Sequence, residues 1–214
     1  MRLLRLGLAS VDSTVGAVES NVERALTMAE AMAKDGVSIA AYPEQLVGGY
    51  PPEDLVQWDG FLDRQWQALL HFTKATAAQP VVHILGIAVA EGGIRYNCAA
   101  VVAAGRVLGL VPKEKLPTYS VFYEGRTFDC GRPGLALVHK GVPLGDMVFR
   151  FDFGILAVEV CEDVWSPDGP MRRRTYGGAE LVVNVSASPF RVGMQASRRE
   201  LLATRAADHQ CTLA

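Results

Sequence analysis

Glu44, Lys113 and Cys161 each stand where an apolar run of the chain stops. Residues 37–42 lead into Pro43-Glu44-Gln45, residues 107–111 into Pro112-Lys113, and residues 151–160 into Cys161, which two acids and Trp165 follow. Ionised cysteine is the most nucleophilic common side chain. A carboxylate in an enclosed site can take the thiol proton, and a nearby ammonium makes the thiolate easier to form. The same ammonium can stabilise the oxyanion that forms when a carbonyl is attacked, with the backbone N–H of Glu162 as a natural second donor. Each residue also has a plainer reading. Cys161 can be one more buried cysteine, Glu44 can cap a turn, and Lys113, like Lys115, can be a solvated surface charge. Position alone does not choose between packing and chemistry.

For the three to meet, each run must be a strand that ends at the same rim of a layered sheet, where ligands bind in α/β folds. The chain supplies such elements. Residues 3–9 alternate loosely as a first strand, and residues 17–34 carry Val22, Ala25, Leu26, Ala29, Met32 and Ala33 at helical spacing. Gly36 suits the position just after that helix. A short strand at 37–42 precedes the rigid loop Gly48-Gly49-Tyr50-Pro51-Pro52 and a helix over 62–78. Strands at 81–89, 96–103 and 107–111 are joined by Gly-rich hairpin turns, Glu91-Gly92-Gly93 and Gly105-Arg106. Residues 112–133 are aromatic, charged and turn-rich, a composition typical of a loop that serves a site. Strands at 135–138 and 147–151 then lead into the run that ends at Cys161. A short helix at 171–177, a strand at 180–185 and a helix at 194–209 follow. Alternating elements, then hairpins, then alternation again predict an α/β fold with a mixed pair of sheets. Residues 211–214 read as the opening of a further strand, so the chain is expected to be a fragment of a longer one.

With 214 residues, half of them apolar, the chain can bury one sizeable core. Its net charge of -2 offers no polyanion-binding surface, so nucleic acid is not an expected partner. Cys98, Cys130, Cys161 and Cys211 are scattered without metal-ligand spacing, which argues against a zinc site or a disulfide framework and fits a reducing cytosol. No apolar stretch is long enough to span a membrane, and the basic start Met1-Arg2 is expected to lead into the first strand. His71, His83, His139 and His209 have no acid or cysteine at ligand spacing. Cys98 and Cys211 read as small apolar residues, and Asn97 as making a backbone hydrogen bond in its strand.

Three stretches resemble, in order, the signatures of the nitrilase (carbon–nitrogen hydrolase) superfamily: residues 37–44 ending in Tyr42-Pro43-Glu44, Val111-Pro112-Lys113-Glu114-Lys115-Leu116, and Val158-Glu159-Val160-Cys161-Glu162-Asp163-Val164-Trp165. The resemblance covers nearly the whole chain and implies a four-layer α-β-β-α sandwich. By it, Glu44 is the general base, Lys113 the oxyanion stabiliser and Cys161 the nucleophile. Residues 48–55, 113–128 and Ser186-Ala187-Ser188-Pro189-Phe190 narrow the likeness to the glutaminase domain of glutamine-dependent NAD+ synthetases. That implies residues 1–214 are an incomplete glutaminase domain that hydrolyses the glutamine side-chain amide. In that family the ammonia passes to a synthetase domain, absent here, that amidates adenylated deaminoNAD+. Tyr119 and Ser188 would hold glutamine, Phe122 would wall the pocket, and Glu124 would support Lys113 as a second carboxylate. The glutaminase reaction would need no cofactor or metal, whereas ATP and Mg2+ are implied for the synthetase domain. A homo-oligomer is expected from the family.

The chain departs from the family after Ser188-Pro189-Phe190. A basic residue usually follows the glycine, but Met194 follows Gly193, leaving Arg191, Arg198 or Arg199 as substitutes. Without the motif, Tyr119, Phe122 and Phe128 read as packing and Ser188 as a helix-entry residue. Two rival functions fit the same residues: a stand-alone amidase acting on another small amide, and a non-catalytic scaffold.

Overall fold

The computed structural model describes residues 3–214. In chain order the elements are β1 (Leu6–Leu8), α1 (Val18–Lys34), β2 (Ile39–Ala41), α2 (Asp59–Ala75), β3 (Val82–Glu91), β4 (Ile94–Ala103), β5 (Arg106–Pro112) and the single turn α3 (Glu124–Thr127). They continue with β6 (Ala136–His139), β7 (Val142–Gly145), β8 (Phe149–Phe151), β9 (Gly154–Val160), α4 (Pro170–Tyr176), β10 (Leu181–Val185), α5 (Met194–His209) and β11 (Thr212–Leu213). Short 3-10 segments occupy Glu53–Gln57 and Cys161–Val164.

Among the described residues the strands form two sheets. One has seven strands in the order β1-β2-β3-β4-β5-β7-β6, and the other four in the order β11-β10-β9-β8. Strands β1, β2 and β3 run parallel, as do β9, β10 and β11, whereas β3, β4 and β5 form antiparallel hairpins. Both hairpin turns have two residues at positive φ, Gly92-Gly93 and Ala104-Gly105, the geometry that matches the twist of the paired strands.

Side-chain alternation along the strands sorts the core into layers. Leu85, Ile87, Cys98, Ala100 and Val102 pack under α1 and α2 with Val22, Ala25, Leu69 and Phe72. Their neighbours Ile84, Ala99, Val101 and Val111 face the second sheet and meet Leu156, Val158, Val160, Val183 and Val185. Ala157 and Val182, on the far face of that sheet, pack against Met171 of α4 and the partly buried Leu201 and Leu202 of α5. The result is the expected α-β-β-α sandwich.

Several local expectations are corrected. The strand that ends at Cys161 starts at Gly154 rather than 151: Phe151 belongs to β8, inside the strand expected at 147–151, and pairs with Gly154 across an Asp152-Phe153 turn, where Gly154 takes a φ of +136. Strand β7 was not anticipated, because Pro143 and Gly145 are poor strand formers. Helix α2 starts at Asp59 rather than 62, and the 112–133 segment contains the α3 turn. The expected closing strand is present as β11, paired in parallel to β10. Met1 and Arg2 lie outside the described residues. Among the described residues no helix is long and apolar enough to cross a membrane.

Candidate active site

Strand register brings the three apolar runs to one rim. Strand β2 ends two residues before Pro43, and the 43–47 segment folds onto β3 through bonds from the Gly86 N–H to the Pro43 carbonyl and from the Val47 N–H to the Gly86 carbonyl, at 3.2 and 3.1 Å. Lys113 leaves β5 beside β4, its N–H donating to the Asn97 carbonyl at 2.8 Å. Across the sandwich, Val160 and Val185 are register partners, so Cys161 and Ser186 emerge side by side. The two sheets are joined at this rim: the Ala187 N–H donates to Glu44 Oε2 at 3.1 Å and the Glu44 N–H to the Ser186 carbonyl at 3.4 Å.

The centre of the site is Lys113, whose side chain is fully buried. Its Nζ donates to Glu44 Oε1 at 2.7 Å and to both oxygens of Glu124 at 2.7 and 2.8 Å. Burial works against this charge, but Glu44, Cys161 and Glu124 outweigh it and hold the ammonium above its ordinary range. Glu124 is shifted the other way from most salt-bridged acids. Burial, then the charge of Glu44, raise its pKa, and the Lys113 contact only partly offsets them. Tyr50 donates from its hydroxyl to Glu124 Oε1 at 3.0 Å. The Tyr50 hydroxyl is itself held protonated by burial and by the two carboxylates.

Cys161 is 5 % exposed and has a φ of +44, a conformation uncommon for a residue with a side chain. The strand turns sharply there into the 3-10 segment Cys161–Val164. The Glu162 N–H lies in the first turn of that segment, where backbone donors lack an intrahelical acceptor. Burial pushes the thiol up to about 12, and Glu44 adds to the shift, while Lys113 and the Ser188 hydroxyl pull it back. The Ser188 Oγ lies 3.5 Å from Cys161 Sγ. A small cavity of about 60 Å³ opens over the thiol, walled by Tyr119, Phe122, Glu162 and Ser188. Phe122 also walls a second cavity of about 290 Å³ that reaches Tyr50 and Glu124.

The structure therefore brings Glu44, Lys113, Glu124, Cys161, Phe122 and Ser188 together. Tyr119 reaches the same cavity but spends its hydroxyl on both Glu162 oxygens at 3.0 Å. Of the three arginines that could replace a base at Met194, Arg191 and Arg198 line the cavity beside Met194, whereas Arg199 lines only a separate apolar groove along α5. Arg198 Nε is buried and has no hydrogen-bond partner.

Asn97 requires a correction. Its role is not confined to its strand: its side-chain N–H donates to Glu44 Oε1 at 2.7 Å, and its side-chain oxygen accepts from Gln45 at 2.7 Å. The signal was a carboxamide in an otherwise apolar run, which must find a partner when buried. Tyr50 was visible only as part of a rigid loop. Asn184, also unanticipated, donates to the Cys161 carbonyl at 3.3 Å and to Glu159 at 3.2 Å. Cys98 is fully buried as expected and Cys211 partly so, whereas Cys130 is exposed. Among the described residues no group of three or more His, Cys, Asp or Glu side chains is arranged to hold a metal ion.

A buried thiol beside an ammonium shared by two carboxylates can attack a carbonyl, pass its proton to Glu44, and meet the oxyanion with Lys113 and the Glu162 N–H. The family model for carbon-nitrogen hydrolase matches residues 5–212. The chain is 37% identical over 212 residues to a glutamine-dependent NAD(+) synthetase of Aquifex aeolicus, covering 99% of this chain and 35% of that protein. With the same enzyme of Thermotoga maritima it shares 33% identity over 215 residues, again 35% of that protein's length. Among solved structures, a glutamine-dependent NAD(+) synthetase from Cytophaga hutchinsonii superposes with a TM-score of 0.88 at 28% identity, over 98% of this chain and 35% of that one. An amidase from Nesterenkonia shares the fold, with a TM-score of 0.80 at 21% identity over 99% of this chain and 74% of that one. The chain thus spans about a third of the synthetases it matches. By the family match over almost all of its residues, it belongs to the carbon–nitrogen hydrolases.

Proposed function

We propose that the chain is a glutaminase unit that releases ammonia from the side-chain amide of glutamine through a Cys161 thioester. The observation that carries this reading is the buried Lys113 ammonium, held at 2.7 Å by Glu44 and by Glu124, with the Cys161 thiol close enough to feel its charge. The Cys161 sulfur attacks the carboxamide carbon as its proton passes to Glu44. Lys113 and the Glu162 N–H stabilise the tetrahedral oxyanion. Collapse breaks the C–N bond, and Glu44 returns the proton to the departing ammonia. Glu44 then takes a proton from water, which attacks the thioester, and glutamate leaves as the thiol is re-formed. Glu124 keeps Lys113 in place, Ser188 holds the substrate, Tyr119 joins it once its hydroxyl leaves Glu162, and Phe122 closes the wall. The likeness to glutamine-dependent NAD(+) synthetases supports use of the ammonia in NAD(+) synthesis; the proposal extends to an ATP- and Mg2+-dependent synthetase domain that amidates deaminoNAD+ and to a cytoplasmic homo-oligomer.

The test is ammonia release from glutamine by the full-length protein and its Cys161→Ala variant. The expected result is a loss of about 10⁴-fold or more, as for removal of other catalytic nucleophiles. Turnover retained in the variant overturns the assignment. Equal turnover of glutamine and a simple amide such as propionamide overturns the choice of substrate.

A further inference from the structure

The nucleophile and the ammonium stand on different sheets, and the sheets meet through apolar side chains. Apolar packing is non-directional: it sets how close the sheets lie without fixing how far one slides along the other. A pair that must meet a reacting carbonyl at near-attack distance needs a directional tie as well. Asp163, two residues beyond Cys161, supplies one. Its side chain is buried, and Oδ1 accepts the N–H groups of Glu114 and Lys115 at 3.0 and 2.8 Å. Oδ2 accepts the Val160 N–H at 3.0 Å. The three donors are the two residues that follow Lys113 and the one that precedes Cys161. Arg174 braces the same junction, donating to the Val158 carbonyl and, at 3.4 Å, to the Glu114 carboxylate.

Resting on the glutaminase reading of the site, we propose that Asp163 is a positioning residue that sets the separation of Lys113 and Cys161 by holding the backbone at both strand ends. It touches no reacting atom. Each of its oxygens is needed, because Oδ1 serves the lysine loop and Oδ2 the nucleophile strand.

The test is Asp163→Asn in the full-length protein. The amide keeps only one acceptor oxygen, so one strand end must face an NH2 group. Displacement of that end by about 1 Å predicts a roughly 100-fold fall in kcat for glutamine with KM changed less than about threefold. Alkylation of Cys161 by iodoacetamide, followed at its own peptide, slows in parallel. Asp163→Glu restores both acceptors and is expected to recover about tenfold of the lost kcat. A folded Asp163→Asn protein with kcat and alkylation rate unchanged overturns the proposal. So does failure of both variants to fold, which makes Asp163 a residue of stability alone. If the glutaminase reading itself is wrong, glutamine turnover is missing from the parent or survives in Cys161→Ala. The alkylation rate still reports whether Asp163 shapes the surroundings of the thiol.

Discussion

At Cys161 the surroundings oppose ionisation before substrate arrives. Burial and the Glu44 charge hold the thiol up to about 12, and the Lys113 ammonium does not cancel them. On the proposed glutaminase reading, the thiolate is made during attack, with Glu44 as receiver, instead of waiting preformed. A raised pKa leaves a thiolate fraction that grows about tenfold per pH unit up to that value. Iodoacetamide modification of Cys161 is expected to climb in that way from pH 7 to pH 9 without levelling off, read by mass spectrometry to separate it from the exposed Cys130. A plateau below pH 8 would mean that the ammonium wins. Glu44, Lys113 and Cys161 were legible in the sequence as candidates, because each interrupts an apolar run with a functional group. Asn97, Tyr50 and Asp163 were not. Their roles depend on which strand lies alongside, and a single chain read in order does not show that.

At the scale of elements, the site depends on how closely the Glu44 segment lies on β3. Gly86 permits that approach: a Cβ there would stand 2.1 Å from the Gln45 nitrogen and 2.5 Å from the Glu44 carbonyl carbon. These are backbone atoms and cannot swing aside as a flexible side chain would. Gly86→Ala is expected to cost about 1–3 kcal/mol of stability, in the range for forced overpacking, and to lower turnover further by moving Glu44. Gly60, in α2, is the control, since nothing lies within 4 Å of an added Cβ. Gly60→Ala should leave turnover unchanged, and a matched loss in both variants would refute the argument. Strands with clear alternation or Gly-rich turns were legible. Strands at 147–151 and up to Cys161 were both legible, but the turn between them was not, because Phe153 sits in it and extends the apolar run across the boundary. Strand β7 was hidden because its Pro and Gly carry no strand signal; pairing with β5 and β6 makes the strand.

For the whole molecule, the layer between the second sheet and α4/α5 carries an electrostatic load. Glu159 is fully buried there, with Oε2 unpartnered. Burial, then the nearby Asp163 charge, lift its pKa from the ordinary 4.5 to about 8, against the Asn184 hydrogen bond and the charges of Arg174 and Arg205. Between those two values the folded chain holds a proton that the unfolded chain has released. The contribution of this residue to stability is therefore greatest below the ordinary carboxylate range and falls as pH rises to about 8. Glu159→Gln cannot ionise, so its Tm should match the parent near pH 5 and exceed it at pH 8 by roughly 10 °C, given about 1.4 kcal/mol per pH unit and about 2–4 °C per kcal/mol for chains of this size. A Tm difference independent of pH would show that Glu159 is not the titrating group. The four-layer architecture was legible through the family resemblance; the mixed sheets alone were legible from the pattern of elements. The buried carboxylate was not flagged, because Glu159 sits in an apolar strand run whose outer face is identified only once α4 is in place.

The turn at Cys161, the proposed nucleophile, also limits how this site can change over generations. A φ of +44 at Cys161 admits a small unbranched side chain but penalises a second heavy atom on Cβ. Serine fits the turn, whereas threonine would strain it. Drift toward a hydroxyl nucleophile is thus open in a single step through serine and closed through threonine unless the Val160–Glu162 backbone is rebuilt first. The same backbone that aims the sulfur restricts its successors.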